Sequence, residues 1–202
     1  MGRPKMLLPW EGASVLGFLI AQWQRLGAAE ISVVHAARDR LILAELDRLN
    51  IPGRFRIPNP DPERGMFSSV QCAAAWPQRN RALTHFVLSL GDQPHLHPST
   101  LATLLDFARN NSERICQPSF RGRAKHPVVL PKEILAELER SPAGTLKEFL
   151  ESNRSRRAQC ELDDPGLELD LDRPEDYERA LQIRAAEKSG KTTAQNSLPK
   201  DR

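Results

Sequence analysis

Hydrophobic residues along the chain follow two spacings, one typical of helices and the other typical of buried strands. Between residues 14 and 26 the apolar side chains recur every three or four positions, which predicts an amphipathic helix. Ser14 is a suitable N-cap for this helix, and Gly27 is a suitable end. Residues 31–37 form a short run rich in β-branched side chains, which predicts a buried strand.

The same two patterns recur through most of the chain. They predict further helices over residues 39–49, 66–76, 98–109, 131–140, 145–153 and 174–187. They predict further strands over residues 55–57, 84–90, 114–118, 127–130 and 167–171. Strands that alternate with helices indicate βαβ units, so we expect an α/β fold with a mostly parallel sheet covered on both faces. Residues 1–188 are expected to form one domain, and the polar residues 189–202 a disordered tail.

Composition narrows the classes of protein that remain. The chain has 202 residues, of which 40% are hydrophobic and 27% charged, a balance that fits one globular domain and excludes a wholly disordered chain. A net charge of +3 does not support a nucleic-acid-binding protein. The sequence contains no run of 18 apolar residues, so we expect no membrane span. Cys72, Cys116 and Cys160 are dispersed, which is typical of reduced thiols and favours a cytoplasmic protein.

Acidic side chains follow two of the predicted strands, where ligands of open α/β sheets bind. Asp92 lies in the tetrapeptide Gly91-Asp92-Gln93-Pro94 after strand 84–90, and a carboxylate there suits Mg²⁺. The alternative is a turn whose Asp92 side chain caps the next helix. Asp170 and Asp172 lie two positions apart in or beside strand 167–171, so one of them would meet Asp92 across a metal. The alternative for Asp172 is capping of the last helix.

A glycine and two serines stand at the start of predicted helix 66–76. Gly65, Ser68 and Ser69 follow Asn59 and the strand before it, and they offer backbone N–H groups and hydroxyls to an anion or a base edge. The alternative is an N-capped helix in which Ser68 is the cap.

Two further groups of residues carry candidate chemistry. Arg3 and Lys5 lie in a segment that a glycine and a proline restrict, so they would hold a polyphosphate; the alternative is a solvated N-terminus. His126 precedes a proline and either faces the cleft or begins a strand. No GxSxG motif accompanies these residues, so serine hydrolase chemistry has no support.

Taken together, these residues resemble the MobA-like nucleotidyltransferases, and among them the molybdenum cofactor cytidylyltransferase branch. The matching segments occur in the family's order from residue 1 to about residue 183. They are Gly2-Arg3-Pro4-Lys5 with Leu7-Leu8-Pro9, the stretch from Asn59 to Ser69, Gly91-Asp92-Gln93-Pro94, His126-Pro127-Val128, and Asp170-Leu171-Asp172 with Arg173-Pro174-Glu175-Asp176-Tyr177.

The resemblance implies a Rossmann-like three-layer α/β fold of the nucleotide-diphospho-sugar transferase type. It implies transfer of a nucleoside monophosphate, with CTP as the favoured donor, to the terminal phosphate of molybdopterin, with release of pyrophosphate and with Mg²⁺ as cofactor. Lys5 and Arg3 would then neutralise the triphosphate. Asp92 would hold Mg²⁺ together with Asp170, or with Asp172 as its substitute.

The remaining roles also follow from the resemblance. Asn59, Gly65, Ser68 and Ser69 would bind the nucleotide, and His126 would lie on the acceptor side. A molybdoenzyme or its chaperone is a further candidate partner. The alternatives are a guanylyltransferase, a sugar-phosphate nucleotidyltransferase, and a non-catalytic carrier of the molybdenum cofactor.

The chain departs from the family at its start. Family members begin with a hydrophobic strand and a loop of the form LAAGxSxRMG, whereas this sequence starts within that loop. We therefore expect a sheet without its first, central strand and with an unpaired edge. The hypothesis is that the start codon is assigned too late. A chain that truly began at Met1 is expected to be poorly stable and to bind NTP negligibly.

Overall fold

The structure, a computed structural model, describes residues 4–195. Helices in this part of the chain are α1 (Val15–Arg25), α2 (Arg40–Arg48), α3 (Met66–Ala75), α4 (Pro98–Asn110), α5 (Lys132–Glu139), α6 (Leu146–Ser152) and α7 (Pro174–Gln195). Strands are β1 (Pro9–Trp10), β2 (Ala13–Ser14), β3 (Val33–Ala36), β4 (Arg56–Asn59), β5 (His85–Leu88), β6 (Ile115–Phe120), β7 (Arg123–Ala124), β8 (Val128–Pro131) and β9 (Arg157–Glu161). None of the helices described is long and apolar enough to cross a membrane.

The early helices begin where the sequence places a capping side chain. The Ser14 hydroxyl accepts a hydrogen bond from the Gly17 amide at 3.0 Å, which satisfies one of the free N–H groups at the start of α1. Asp39 does the same for the Leu41 and Ile42 amides at the start of α2. These local signals explain why both helices begin at the predicted positions.

The larger sheet combines parallel and antiparallel neighbours. Strand β8 lies between β5 and β6 and runs antiparallel to both, so β5 and β6 point the same way. Strand β9 pairs in parallel with β6. Strand β7 forms an antiparallel hairpin with β6. The principal strands β5, β6 and β9 therefore share one direction, and their carboxyl ends meet at one edge.

Helices cover this sheet on both faces. Successive side chains of a strand point to opposite faces, and Val128, Val129 and Leu130 of β8 are all buried. Val128 and Leu130 pack in a core with α3, α5 and α6, whereas Val129 packs in a second core with α4. The predicted three-layer α/β fold is thereby confirmed.

Strands β3 and β4 form a separate two-stranded parallel sheet. Among the described residues β3 pairs with β4 on one edge only, and β5 pairs with β8 on one edge only. A cavity of about 780 Å³ borders both strands, and its walls are mainly apolar. This division agrees with the expected sheet that lacks a central strand.

The end of the sheet differs from the prediction. Residues 167–171 are not a strand: a 3-10 turn covers Pro165–Glu168, and irregular backbone follows it. The alternating leucines that predict a strand are buried, with Leu169 and Leu171 in a core beside Trp10, but no neighbouring strand pairs with them. The last strand is instead β9, whose polar sequence carries no such pattern and whose conformation follows from its pairing with β6.

Helix α7 begins where predicted and continues to Gln195, beyond the predicted end at residue 187. It therefore includes residues 189–195 of the segment that the sequence analysis assigned to the tail. Residues 196–202 lie outside the described residues.

Candidate functional site

Asp92 lies in the loop that follows β5, at the carboxyl end of the sheet. Its side chain is 25% exposed. Burial raises the pKa of Asp92, and the nearby charge of Asp170 raises it further, while Lys5 opposes both effects. Gly91 permits this loop to approach the N-terminal turn, because a Cβ at Gly91 would lie 2.6 Å from the Met6 sulfur.

Lys5 approaches the same loop from a 3-10 turn, Lys5–Leu7. Its Nζ lies 3.7 Å from Asp92 Oδ2 and donates a hydrogen bond to Asp172. The bond to Asp172 raises the pKa of Lys5 despite partial burial, and the charges of Asp172, Asp92 and Asp170 raise it too. The same bond lowers the pKa of Asp172. The structure thus brings together Lys5 and all three predicted acidic residues.

Asp170 reaches this cluster from the irregular segment after the last 3-10 turn. Gln93 Nε2 donates a hydrogen bond to Asp170 Oδ1 at 2.8 Å. Because residues 167–171 form no strand, the predicted face of a strand does not bring Asp170 and Asp172 here. Their positions depend on contacts between loops.

Contacts with the loop after β5 and with the first turn of α4 hold this segment beside the end of β5. Thr100 Oγ1 donates to Asp164 Oδ2 at 2.7 Å, and His95 Nε2 donates to the Gly166 carbonyl at 3.0 Å. His95 is buried, and burial lowers the pKa of its ring. His95 therefore has a structural partner. Sequence reasoning missed this anchoring pair and the role of Gln93.

The loop between β4 and α3 contains the predicted nucleotide-binding residues. Asn59 and Ser68 are buried, and Asn59 Nδ2 donates to the Ser68 and Ser69 hydroxyls at 2.8 and 3.0 Å. The Ser68 hydroxyl in turn donates to the Gly65 carbonyl at 2.8 Å. Asn59 and Ser68 therefore support the loop from inside. Gly65 is exposed and Ser69 borders the cavity, so contact with a nucleoside stays a prediction for these two.

Gly65, and not Ser68, occupies the N-cap position of α3. Its φ is +82°, a conformation that favours glycine, and no side chain caps the helix. Within the first turn, the Ser68 amide donates to the Gly65 carbonyl at 3.2 Å.

His126 lies just before β8 and borders the same cavity. Burial lowers the pKa of its ring, although the Leu88 backbone and the charge of Asp170 raise it. Its Nδ1 is buried and has no hydrogen-bond partner among the described residues. The structure therefore places His126 near the end of β5 with one ring nitrogen free. Arg3, the remaining predicted residue, lies outside the described residues.

Comparison with known proteins identifies the family. The sequence profile of the MobA-like NTP transferase domain matches residues 1–159. The chain belongs to this family. The predicted membership is thus confirmed, and the family supports a nucleotidyltransferase class of enzyme.

Relatives of this MobA-like domain include characterised and solved proteins. The chain is 26% identical, over 178 residues, to the molybdenum cofactor cytidylyltransferase of Escherichia coli (strain K12), covering 88% of this chain and 86% of the relative. It resembles the crystal structure of Rv0371c from Mycobacterium tuberculosis H37Rv with a TM-score of 0.69, 26% identity and 90% coverage of each chain. A manganese complex of Rv0371c gives a TM-score of 0.64 at 24% identity, with 90% of this chain and 93% of that chain covered.

The donor set of the MobA-like domain suits a hard divalent cation that keeps other ligands. The described residues contain no group of three His, Cys, Asp or Glu side chains placed to enclose a metal ion. Asp170 raises the pKa of Asp92, and two such carboxylates, with phosphate oxygens and water completing the shell, match the typical coordination of Mg²⁺. The site therefore fits such an ion only in company with a phosphate.

Proposed function

We propose that the chain transfers CMP from CTP to the terminal phosphate of molybdopterin and releases pyrophosphate. The observation that carries the proposal is the convergence of Lys5, Asp92 and Asp170 at the carboxyl end of β5. Opposite charges gathered at one edge of an α/β sheet suit a ligand that combines a cation with a polyphosphate.

Asp92 and Asp170 are the residues that would hold Mg²⁺. The raised pKa of Asp92 reflects burial and a like charge, and a cation between the two carboxylates would relieve both costs. The manganese complex of the mycobacterial relative supports a divalent ion here. When bound, the ion neutralises charge on the phosphoryl oxygens.

Lys5 would neutralise the departing pyrophosphate. In the structure it is paired with Asp172, whose side chain is 69% exposed. An exposed ion pair contributes little to stability, so a triphosphate can draw Lys5 away from Asp172 at small cost. A fixed cation beside the leaving group then stabilises the charge that develops as the bond to the α-phosphorus breaks.

The acceptor needs no strong base. An oxygen of its terminal phosphate is already anionic at neutral pH and attacks the α-phosphorus, while the bond from that phosphorus to the bridging oxygen breaks. His126 borders the cavity, and burial lowers the pKa of its ring, which disfavours the charged form. The main task of the protein is therefore positioning.

The preference for CTP and molybdopterin rests on similarity to the Escherichia coli cytidylyltransferase. Ser69, on the cavity wall, would contact the base. Asn59, which donates hydrogen bonds to both Ser68 and Ser69, would hold the Ser69 hydroxyl in place. Gly65, which is exposed at the start of α3, would contact the nucleotide through its backbone.

The test offers CTP, GTP, ATP and UTP separately to the protein, with molybdopterin and Mg²⁺, and measures pyrophosphate. We expect release with CTP that requires both molybdopterin and the metal. Asp92→Asn should reduce the rate at least 100-fold, because a charged contact to the transferring group is lost. Asp106→Asn is the matched control, since Asp106 is an exposed acid on α4 paired with Arg109.

Other outcomes would contradict the proposal. Release with GTP alone would change the donor to that of a guanylyltransferase. Molybdopterin binding without release from any NTP would favour a carrier protein. A folded Asp92→Asn variant with wild-type turnover would refute the role of Asp92.

A further inference from the structure

We propose that Gln93 is a positioning residue that holds the Asp170 carboxylate in the orientation needed to share a divalent cation with Asp92. This inference rests on the proposed function, because it takes Asp92 and Asp170 as the metal ligands. It assigns a task to a side chain that follows Asp92 directly in the chain.

Gln93 has the features of a fixed donor. The residue is 5% exposed, so its side chain is immobile compared with a surface glutamine. Its Nε2 lies 2.8 Å from Asp170 Oδ1, the distance of a good charge-assisted hydrogen bond. The bond is directional, and its donor end is shielded from water because Gln93 is buried, although Asp170 itself is exposed.

Asp170 needs such a partner more than Asp92 does. It is exposed and lies on irregular backbone, between the buried Leu169 and Leu171. No strand ladder restrains this segment, so several rotamers of an exposed aspartate would otherwise be populated. The Gln93 bond selects one rotamer and occupies Oδ1, which leaves Oδ2 for a cation.

The choice of a neutral donor is also physically sensible. A lysine in place of Gln93 would neutralise Asp170 and compete with a cation. An amide carries no net charge, so it does not oppose a cation that approaches Asp92 and Asp170. The pair of carboxylates thus retains its attraction for a divalent ion while its geometry is held.

The test measures the affinity of the full chain for Mn²⁺ in the presence of CTP. The readout is the electron paramagnetic resonance signal of free Mn²⁺, corrected by a protein-free titration for the Mn²⁺ that CTP binds. Gln93→Met preserves the length and volume of the side chain but removes the donor. We expect Mn²⁺ binding to weaken about tenfold, the typical loss when a hydrogen-bond partner of a metal ligand is removed. Gln93→Asn, which stays polar but is one methylene too short, should give a loss in the same direction.

A double-mutant cycle assigns the effect to Asp170. If Gln93 acts through that carboxylate, Gln93→Met should cause no further loss of affinity in an Asp170→Ala background. Gln117→Met is the matched control, since Gln117 is 4% exposed and donates to the Lys125 carbonyl at 3.2 Å. This control should bind Mn²⁺ like the wild type.

The outcomes separate the two proposals. Wild-type Mn²⁺ affinity in both Gln93 variants, together with weakened binding in Asp92→Asn, would overturn the role of Gln93 and leave the proposed function standing. An equal further loss in the Asp170→Ala background would also overturn it. No Mn²⁺ binding by the wild type in the presence of CTP would refute the metal site itself.

Discussion

The cavity between β3 and β5 makes a quantitative prediction about stability. Ala73 of α3 borders the cavity, so Ala73→Leu would extend three additional carbon atoms into it. Burying three carbons is worth about 2 kcal/mol, and restricting the leucine rotamers costs roughly 0.5–1 kcal/mol. We therefore expect the free energy of unfolding to rise by about 1 kcal/mol, which for a chain of this length is roughly 2–4 °C in Tm.

The neighbouring Ala74 is the matched control. It is fully buried in the packed core formed by α3, α5 and α6. Ala74→Leu adds the same atoms where no space exists, and overpacking of this kind costs about 1–3 kcal/mol. Urea unfolding followed by circular dichroism measures both changes. A loss of stability in Ala73→Leu comparable to that in Ala74→Leu would refute the idea that the cavity accommodates added side chains.

Two further predictions follow from the acidic loop. Burial and the charge of Asp170 raise the pKa of Asp92, so ionised Asp92 lowers the free energy of unfolding. This loss is absent below the ordinary pKa of an aspartate, near 4. It grows as the pH rises through the pKa of Asp92 in the folded protein and is complete above that pKa. Without divalent metal, Asp92→Asn should hence be more stable than the wild type at pH 7, with a gap that closes as pH falls towards 4; a constant gap across this range in urea titrations would contradict this. Gly91→Ala should lower the free energy of unfolding by about 1 kcal/mol, because the new Cβ meets the Met6 sulfur, and Met6→Ala should remove most of that penalty. Equal penalties of Gly91→Ala in both backgrounds would show that Met6 is not the cause.

Local signals account for the parts of the fold that were predicted correctly. The N-caps Ser14 and Asp39 and the apolar spacing in α1 are contained within a few residues of sequence, so no distant contact is needed to predict them. The strand 157–161 could not be predicted in the same way. Its sequence is polar, and its conformation depends on a partner about forty residues earlier in the chain.

Some residues of the candidate site could likewise be predicted from the sequence, and others could not. Asp92 could be predicted because it directly follows the predicted strand 84–90 and because ligands of α/β sheets bind at such ends. The supporting role of Asn59 and Ser68 could not, since buried and exposed polar residues look alike in a sequence. Gln93 lies inside a motif that the sequence singles out, yet only its contact with Asp170 shows what it does.

Amino-acid order alone determined the α/β class, the positions of the helices and of most strands, and the acidic character of the loop after β5, because each depends on periodicity or residue type over short stretches. Tertiary structure decided which of those residues meet. The approach of Lys5 to Asp92, the anchoring of Asp170 by Gln93 and the cavity between β3 and β5 all join segments far apart in the chain. Such contacts depend on how packed layers fit together, which no local pattern encodes.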